Sequence, residues 1–230
     1  MTAPALVLAA HAWHTNGDLI ADVARVGHLQ GDLPTIDPTY GRGLWWTVWR
    51  PAELVAHDLY TLDGVDFRQL PHETGSFRQG AFDPPYVCKG GRKTSTIPDF
   101  LDRYGLARAP RTPAALQAMN DAGLAEMVRV LAPRSILLVK CADYVSSGRL
   151  VDGTGNTRDA AKALGLVMVD RFEHMGYVRA QPKGRTRKAR PGEESVNGRV
   201  PSRQKHARHN SSTLFVFRTP AKKARKRTAR

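Results

Sequence analysis

The chain has 230 residues, 41% hydrophobic and 24% charged, enough for one full-sized core and only marginally enough for two, so a single domain is expected. Its 35 Lys and Arg against 21 Asp and Glu give a formal net charge of +14; this favours a polyanionic partner, nucleic acid or an anionic membrane surface, over a neutral enzyme with a basic solubility tail. Cys88 and Cys141 stand far apart without a C-x-x-C pair, which excludes a disulfide framework and a cysteine-rich zinc site and suits a reducing cytoplasm.

The opening MTAPALVLAAHAW is apolar, yet it lacks a basic start and is too short to span a bilayer, so it is read as part of the fold. From Thr15, T-N-G-D resembles a capping box with Asp in the Glu position. Leu19, Ile20, Val23 and Val26 follow at helical spacing and predict a helix ending near Gly27. Four short apolar runs then close on or near a carboxylate, LPTID (33–37), ELVAHD (53–58), GVDF (64–67) and GAFD (80–83), and each is strand-length.

Residues 113–131 predict a helix with Leu116, Met119, Leu124, Met127 and Leu131 on one side and Gly123 as a weak point. SILLVKCAD (135–143) is the most apolar strand candidate and is placed centrally. A helix from Thr157 to Leu164 and strands at 165–175 and 212–218 complete the pattern. Strands alternating with helices predict a mainly parallel α/β sheet, and the last two strands, with no helix between them, an antiparallel pair at its edge. Residues 181–210 are rich in Arg, Lys, Gly and Pro and poor in large apolar groups, so they are expected to be a mobile basic insert within a domain spanning 1–218; residues 219–230 are expected to be a disordered basic tail.

In such a sheet, ligands bind beyond the carboxyl ends of the strands. The first strand delivers Asp37 into P-T-Y-G-R-G, where Gly41 and Gly43 let the backbone pass close beneath a ligand. A dinucleotide fingerprint would need glycine where Trp46 stands, and no G-x-x-x-x-G-K-[ST] occurs, which argues against a nucleotide triphosphatase. Asp58 and Asp66 follow at the next two strand ends. Each acid alone is better explained as a loop or helix cap, but three in succession suit ribose hydroxyls, amines or an adenine amino group on a shared ligand.

The fourth run leads into Asp83, Pro84, Pro85 and Tyr86, a tetrapeptide expected by chance in about one chain in a thousand of this length. The prolines fix an extended turn, remove two N–H donors and leave carbonyls as acceptors. Asp83 and the Pro84 carbonyl can each accept one N–H of an amino group on a planar ring, while the Tyr86 ring stacks on its face. The chain here resembles the class I S-adenosylmethionine-dependent amino-methyltransferases, which methylate exocyclic amines of adenine or cytosine and carry [DNS]-P-P-[YFW].

The resemblance covers about residues 15–218 and implies a Rossmann-like, mostly parallel seven-stranded sheet with an antiparallel terminal strand and helices on both faces. It further implies that Asp37, Tyr40, Gly41 and Gly43 form the cofactor loop, that Asp58 holds the ribose hydroxyls, and that Asp66 and Phe67 meet the cofactor adenine. The family's loop is usually D-P-[FM]-[AC]-G-[ST]-G, whereas Tyr40 and Arg42 are bulky here. The order, glycine turn before catalytic motif, is similar to that of gamma-type DNA adenine methyltransferases, without a long target-recognition insert. The expected activity is methylation of adenine-N6 in DNA, with cytosine-N4 or RNA as alternative targets and an inactive nucleic-acid-binding protein as the reading from another class. The setting implied is the cytoplasm of a bacterium or of a phage-infected host.

Lys89, Arg92 and Lys93, on a glycine-loosened loop just past the motif, suit phosphate contacts beside a flipped nucleotide. Arg185, Arg187 and Lys188 in RTRKAR and Lys205 and Arg208 in KHARHN extend that basic footing, which gives affinity without sequence information. The amphipathic basic helix of a membrane binder is missing. His11/His14 and His206/His209 have helical metal spacing but no nearby third ligand, so no metal is expected. Trp45, Trp46 and Trp49 are read as core or interface groups rather than base-stacking ones.

Overall fold

The computed structural model describes residues 13–86, 88, 110–175, 186–201 and 211–221. In chain order the elements are α1 (Asn16–Arg25), β1 (Thr35–Asp37), a 3-10 turn (Leu44–Trp46), β2 (Leu54–Ala56), β3 (Phe77–Phe82), α2 (Pro113–Val130) and β4 (Leu131–Cys141). There follow β5 (Tyr144–Ser146), β6 (Arg149–Val151), α3 (Gly153–Ala163), β7 (Val167–Met175), β8 (Thr186–Lys188), β9 (Arg199–Pro201) and β10 (Ser211–Arg218).

The capping box forms as predicted. Thr15 Oγ1 accepts the Asp18 N–H at 3.1 Å, and the Asp18 carboxylate accepts the Thr15 N–H at 3.0 Å. The chain leaves α1 through Gly27, whose φ of +90° few other residues tolerate.

The central sheet runs β2-β1-β3-β4-β10-β7. The β1–β2, β1–β3 and β3–β4 pairs are parallel, and β10 is antiparallel to both β4 and β7. This is the expected Rossmann-like arrangement of a class I methyltransferase fold, with the last strand inserted antiparallel beside an edge. Alternation along the strands sorts the core into two layers. Leu137, Val139, Phe215 and Phe217 face α2 and α3, packing with Leu124, Met127 and Ala161. Leu138, Leu214 and Val216 face the other way, against Leu19, Ile20 and Val23 of α1 and the indoles of Trp45 and Trp46.

Two expectations are corrected. The sheet has six strands among the described residues, because GVDF (64–67) forms an irregular loop. Its donors are used locally: the Gly64 N–H goes to the Asp58 carbonyl at 3.1 Å and the Val65 N–H to Asp63 Oδ1 at 3.4 Å, leaving no ladder for a neighbour. Within the basic segment, residues 186–201 pair as the β8–β9 hairpin. The connection of residues 189–198 enters β9 through a tight Asn197-Gly198 turn with φ of +52° and +69°, closed by reciprocal Val196 and Arg199 hydrogen bonds of 3.1 and 3.0 Å, the geometry that favours an N-G turn. The opening apolar stretch to residue 12, the loop bearing Lys89, Arg92 and Lys93, the positions Arg185, Lys205 and Arg208, and residues 222–230 of the tail lie outside the described residues.

Candidate active site

A cavity of about 480 Å³ opens beyond the carboxyl ends of β1, β2 and β3, the side of a parallel sheet where ligands bind. Tyr40, Gly41, Asp58, Asp66, Phe67, Asp83 and Pro85, all singled out in the sequence, line it together. Asn16, Arg42, Leu44, Trp45, Tyr60 and Arg68 also line it, without having been read as site residues, and so does Met119, which the helical spacing places on the packing side of α2.

The loops are tied by the acids at their bases. Asp58 Oδ2 accepts the Gly41 N–H at 3.0 Å, its Oδ1 accepts the N–H groups of Tyr60 and Thr61 at 2.9 and 2.8 Å, and the Thr61 hydroxyl returns to the Gly41 carbonyl at 2.8 Å. Three of the roughly four acceptor positions of that carboxylate are thereby used. Asp66 is gripped by Arg68 through Nε at 2.9 Å and by the Arg68 N–H at 2.9 Å; the Arg68 side chain holds its carboxyl below the usual carboxylate range. Phe67 packs edge-on to Phe82 at 5.3 Å. A Cβ on Gly123 would lie 2.5 Å from the Phe67 ring, so the weak point in α2 is the space that seats this aromatic against the sheet.

Asp37 and Gly43 do not line the cavity. Asp37 is buried beneath it at 3% exposure, accepting Trp46 Nε1–H at 2.8 Å, the Thr39 N–H at 2.9 Å and the Thr39 hydroxyl at 3.1 Å. Burial raises its pKa to about 6 against those bonds. Gly43, at φ +70°, clears room for the Tyr40 side chain, whose hydroxyl a Cβ there would meet at 2.5 Å and whose ring at 2.7 Å. Both residues shape the loop rather than face the space above it.

Asp83 stands at the end of β3. Its N–H donates to Thr39 Oγ1 at 2.8 Å, its Oδ2 accepts Trp45 Nε1–H at 3.0 Å, and its Oδ1 accepts the Tyr86 hydroxyl. Desolvation raises its pKa, opposed by the charge of Lys140 and by the Trp45 bond. Asn120 Nδ2 donates to the Pro85 carbonyl at 3.0 Å, anchoring the motif to α2. Pro84 and Tyr86 line a separate cavity of about 30 Å³ on the other side of the motif, beside Asn120, Lys140 and Tyr144. The motif is thus a partition: Asp83 and Pro85 face the large space, Pro84 and Tyr86 the small one.

The tryptophans are core groups, as expected, but two have a polar duty that the sequence did not reveal. Trp45 and Trp46 are each about 6% exposed, and their indole N–H groups hold Asp83 and Asp37. A buried indole needs an acceptor, so L-W-W directly after an acid-led glycine turn was the available signal. Of the basic candidates, Lys188 is exposed on β8, and Arg187 lies on the same strand. Among the described residues no group of three or more His, Cys, Asp and Glu assembles as a metal site, and no helix is long and apolar enough to cross a membrane.

No protein-family model matches the sequence, and no curated protein matches it. Solved structures similar to the chain include TTHA0409 from Thermus thermophilus, assigned as a DNA modification methylase and crystallised with S-adenosyl-L-methionine. It is 14% identical with a TM-score of 0.41, over 71% of this chain and 56% of that one, so the chain spans little more than half its length. A protein assigned as a methyltransferase from Bacillus halodurans is 12% identical with a TM-score of 0.47, over 88% and 99% of the two chains. The [4+2]-cyclase SpnF is 12% identical with a TM-score of 0.45, over 89% and 80%.

Proposed function

We propose that this protein is an S-adenosylmethionine-dependent methyltransferase acting on an exocyclic amine of a nucleobase, adenine-N6 in DNA before cytosine-N4 or RNA. The observation that carries the reading is the junction of D-P-P-Y with the large cavity: Asp83, at the end of β3, shares one space with Tyr40, Gly41, Asp58, Asp66 and Phe67.

The residues fit such a cofactor. A space of about 480 Å³ is of the size that holds a drug-sized ligand. Asp58 has one acceptor position left for a hydroxyl or amino group, Asp66 and its bound Arg68 stand at the wall, Phe67 offers an apolar ring face, and Gly41, at φ +55°, brings backbone close to the ligand. The carboxylates also favour a cation, and a sulfonium supplies an electrophilic methyl group without need of a metal.

The chain's own part is alignment and charge. Asp83, at the wall of the large cavity, accepts an N–H bond of the substrate amine, which draws the nitrogen lone pair out of conjugation and aims it for attack. The Asp83 carboxylate then stabilises positive charge as it develops on that nitrogen. A base within a duplex has to leave the stack to reach the motif. The excess of 14 positive charges supplies affinity for the phosphate backbone.

The test is incubation with methyl-labelled cofactor and, separately, duplex DNA, single-stranded DNA or RNA, followed by nucleoside analysis. N6-methyladenine in DNA is the expected product. Label confined to RNA, or to cytosine, moves the target to that base or polymer, and no label in any sample overturns the reading in favour of a binding module. Asp83→Ala is expected to reduce transfer by on the order of a thousandfold while cofactor affinity stays within about threefold. Undiminished turnover would remove Asp83 from the chemistry.

A further inference from the structure

Lys140 is a lysine where the fold asks for an apolar side chain. It lies in the middle strands of the sheet at 5% exposure, with Val139 and Cys141 on either side belonging to the opposite core layer. Its side chain therefore projects toward α1, between Leu138 and the α1 packing layer. There Nζ donates to Oδ1 of Asn16, the first residue of α1 and part of the large cavity's wall. An amide oxygen satisfies one donor but cannot balance a charge, and a buried ammonium without a counter-charge is costly.

The counter-charge lies one strand away. In the parallel β3–β4 ladder Phe82 is paired with Val139, so the next position on each strand is Asp83 and Lys140. Burial lowers the Lys140 pKa and raises that of Asp83, while each charge acts on the other to oppose that drift. Other titratable groups surround the pair. Asp37, on β1, adds like charge to Asp83; Tyr86 binds Asp83 from its own loop; Cys141 adjoins Lys140 on β4; and His174, on β7, feels both Lys140 and Asp18 of α1. Among these, Lys140 is the cation that acts on Asp83.

We infer that Lys140 is the built-in counter-charge of Asp83, a positioning residue that keeps the carboxylate ionised so that it can accept the substrate amine. The inference rests on the proposed role of Asp83. A neutral Asp83 carries a proton on one oxygen, which turns one of its acceptors into a donor aimed at the amine's own N–H. Without Lys140 the carboxyl would take up that proton at higher pH, and the acid limb of the reaction would move upward. The tie to Asn16 fixes the ammonium against α1, so the helix's first residue lines the cavity and orients the counter-charge at once.

The test compares wild type with Lys140→Met and Lys140→Gln. Methionine fills similar length without charge, and glutamine keeps a donor for Asn16. In both variants methyl transfer is expected to fall on the order of tenfold near neutral pH and to recover as pH rises, with cofactor affinity unchanged. A pH profile superimposable on wild type overturns the inference, and so does restoration of the wild-type profile by glutamine, which would make the lysine a hydrogen-bond donor only. Carbon-13 titration of aspartate carboxyls, assigned with Asp83→Asn, provides a readout independent of activity: the Asp83 resonance should titrate at higher pH in Lys140→Met. An unmoved resonance sinks the inference whether or not the protein methylates a nucleobase, whereas a moved resonance with no transfer to any polymer leaves it standing and overturns the proposed reaction. If Lys140→Met does not fold, the Lys140→Gln titration decides in the same way.

Discussion

The ends of β1 and β3 are two versions of one device. Asp37-Pro38-Thr39-Tyr40 and Asp83-Pro84-Pro85-Tyr86 each follow a parallel strand, and an indole from the same L-W-W turn reaches each acid, Trp46 to Asp37 and Trp45 to Asp83. They differ at the third position. Thr39 has an N–H and a hydroxyl, and both go to Asp37 Oδ1 at 2.9 and 3.1 Å, folding that acid onto its own loop. Pro85 has neither, so Asp83 has no donor two residues on and remains at the cavity wall. One acid holds a loop in place; the other faces the cavity. Thr39 also joins them, since its hydroxyl accepts the Asp83 N–H at 2.8 Å while donating to Asp37.

The largest expected effect comes from erasing that difference. Pro85→Thr gives the β3 end the sequence of the β1 end and supplies an N–H and a hydroxyl that can turn Asp83 inward. Methyl transfer is expected to fall on the order of a hundredfold or more, with cofactor affinity within about threefold, because acceptor geometry at the amine is lost and the cofactor wall is not. The Asn120 bond to the carbonyl of residue 85 does not depend on the side chain, so the loop keeps its anchor. Unchanged turnover would mean that something other than the proline keeps Asp83 facing the cavity.

Much of this was legible in the sequence because it is local. The capping box, the strand ends at Asp37, Asp58 and Asp83, and the D-P-P-Y turn are each fixed by residues within a few positions of one another, and their chemistry reads directly from residue type. What escaped was long-range or competed locally. Asp37 looks like Asp58 in sequence, and only the return of Trp46 and Thr39 shows that it is sealed below the cavity. The third predicted strand failed because Asp58, Asp63 and Asp66 capture the neighbouring N–H groups. Lys140 read as one polar residue in an apolar strand, since its partner lies across a strand pairing that no local pattern encodes. The Asn197-Gly198 turn was visible in the sequence, and the composition around it concealed a hairpin.

A second way to sharpen the comparison uses pH. Burial raises Asp37 to about 6 from an ordinary 3.8, with Asp83 adding to the rise. The folded protein therefore binds that proton more tightly than the unfolded chain. This contribution to stability is fully present below the unfolded value and is lost as pH rises through about 6, an effect on the order of 3 kcal/mol. Asp37→Asn carries no charge at any pH, so denaturant unfolding at about pH 4 and about pH 7.5 should show its stability gaining on wild type by up to that amount at the higher pH. A constant gap between the two proteins at both pH values would show that Asp37 titrates as if exposed.

The smallest expected effect tests the residue that links the two ends. Thr39→Val keeps the N–H bond to Asp37 but removes the hydroxyl, leaving the Asp83 N–H without its acceptor and Asp37 with one donor fewer. The cost is expected at about 1–2 kcal/mol in unfolding free energy, the usual range for a hydrogen bond lost from a part-buried group. Thr39→Ser restores the hydroxyl while deleting the methyl group, so it separates bonding from packing: it should recover most of the stability if the hydroxyl bridge is what matters. Stability kept in Thr39→Val but lost in Thr39→Ser would assign the effect to the methyl group, and the two strand ends would then be neighbours rather than one coupled unit.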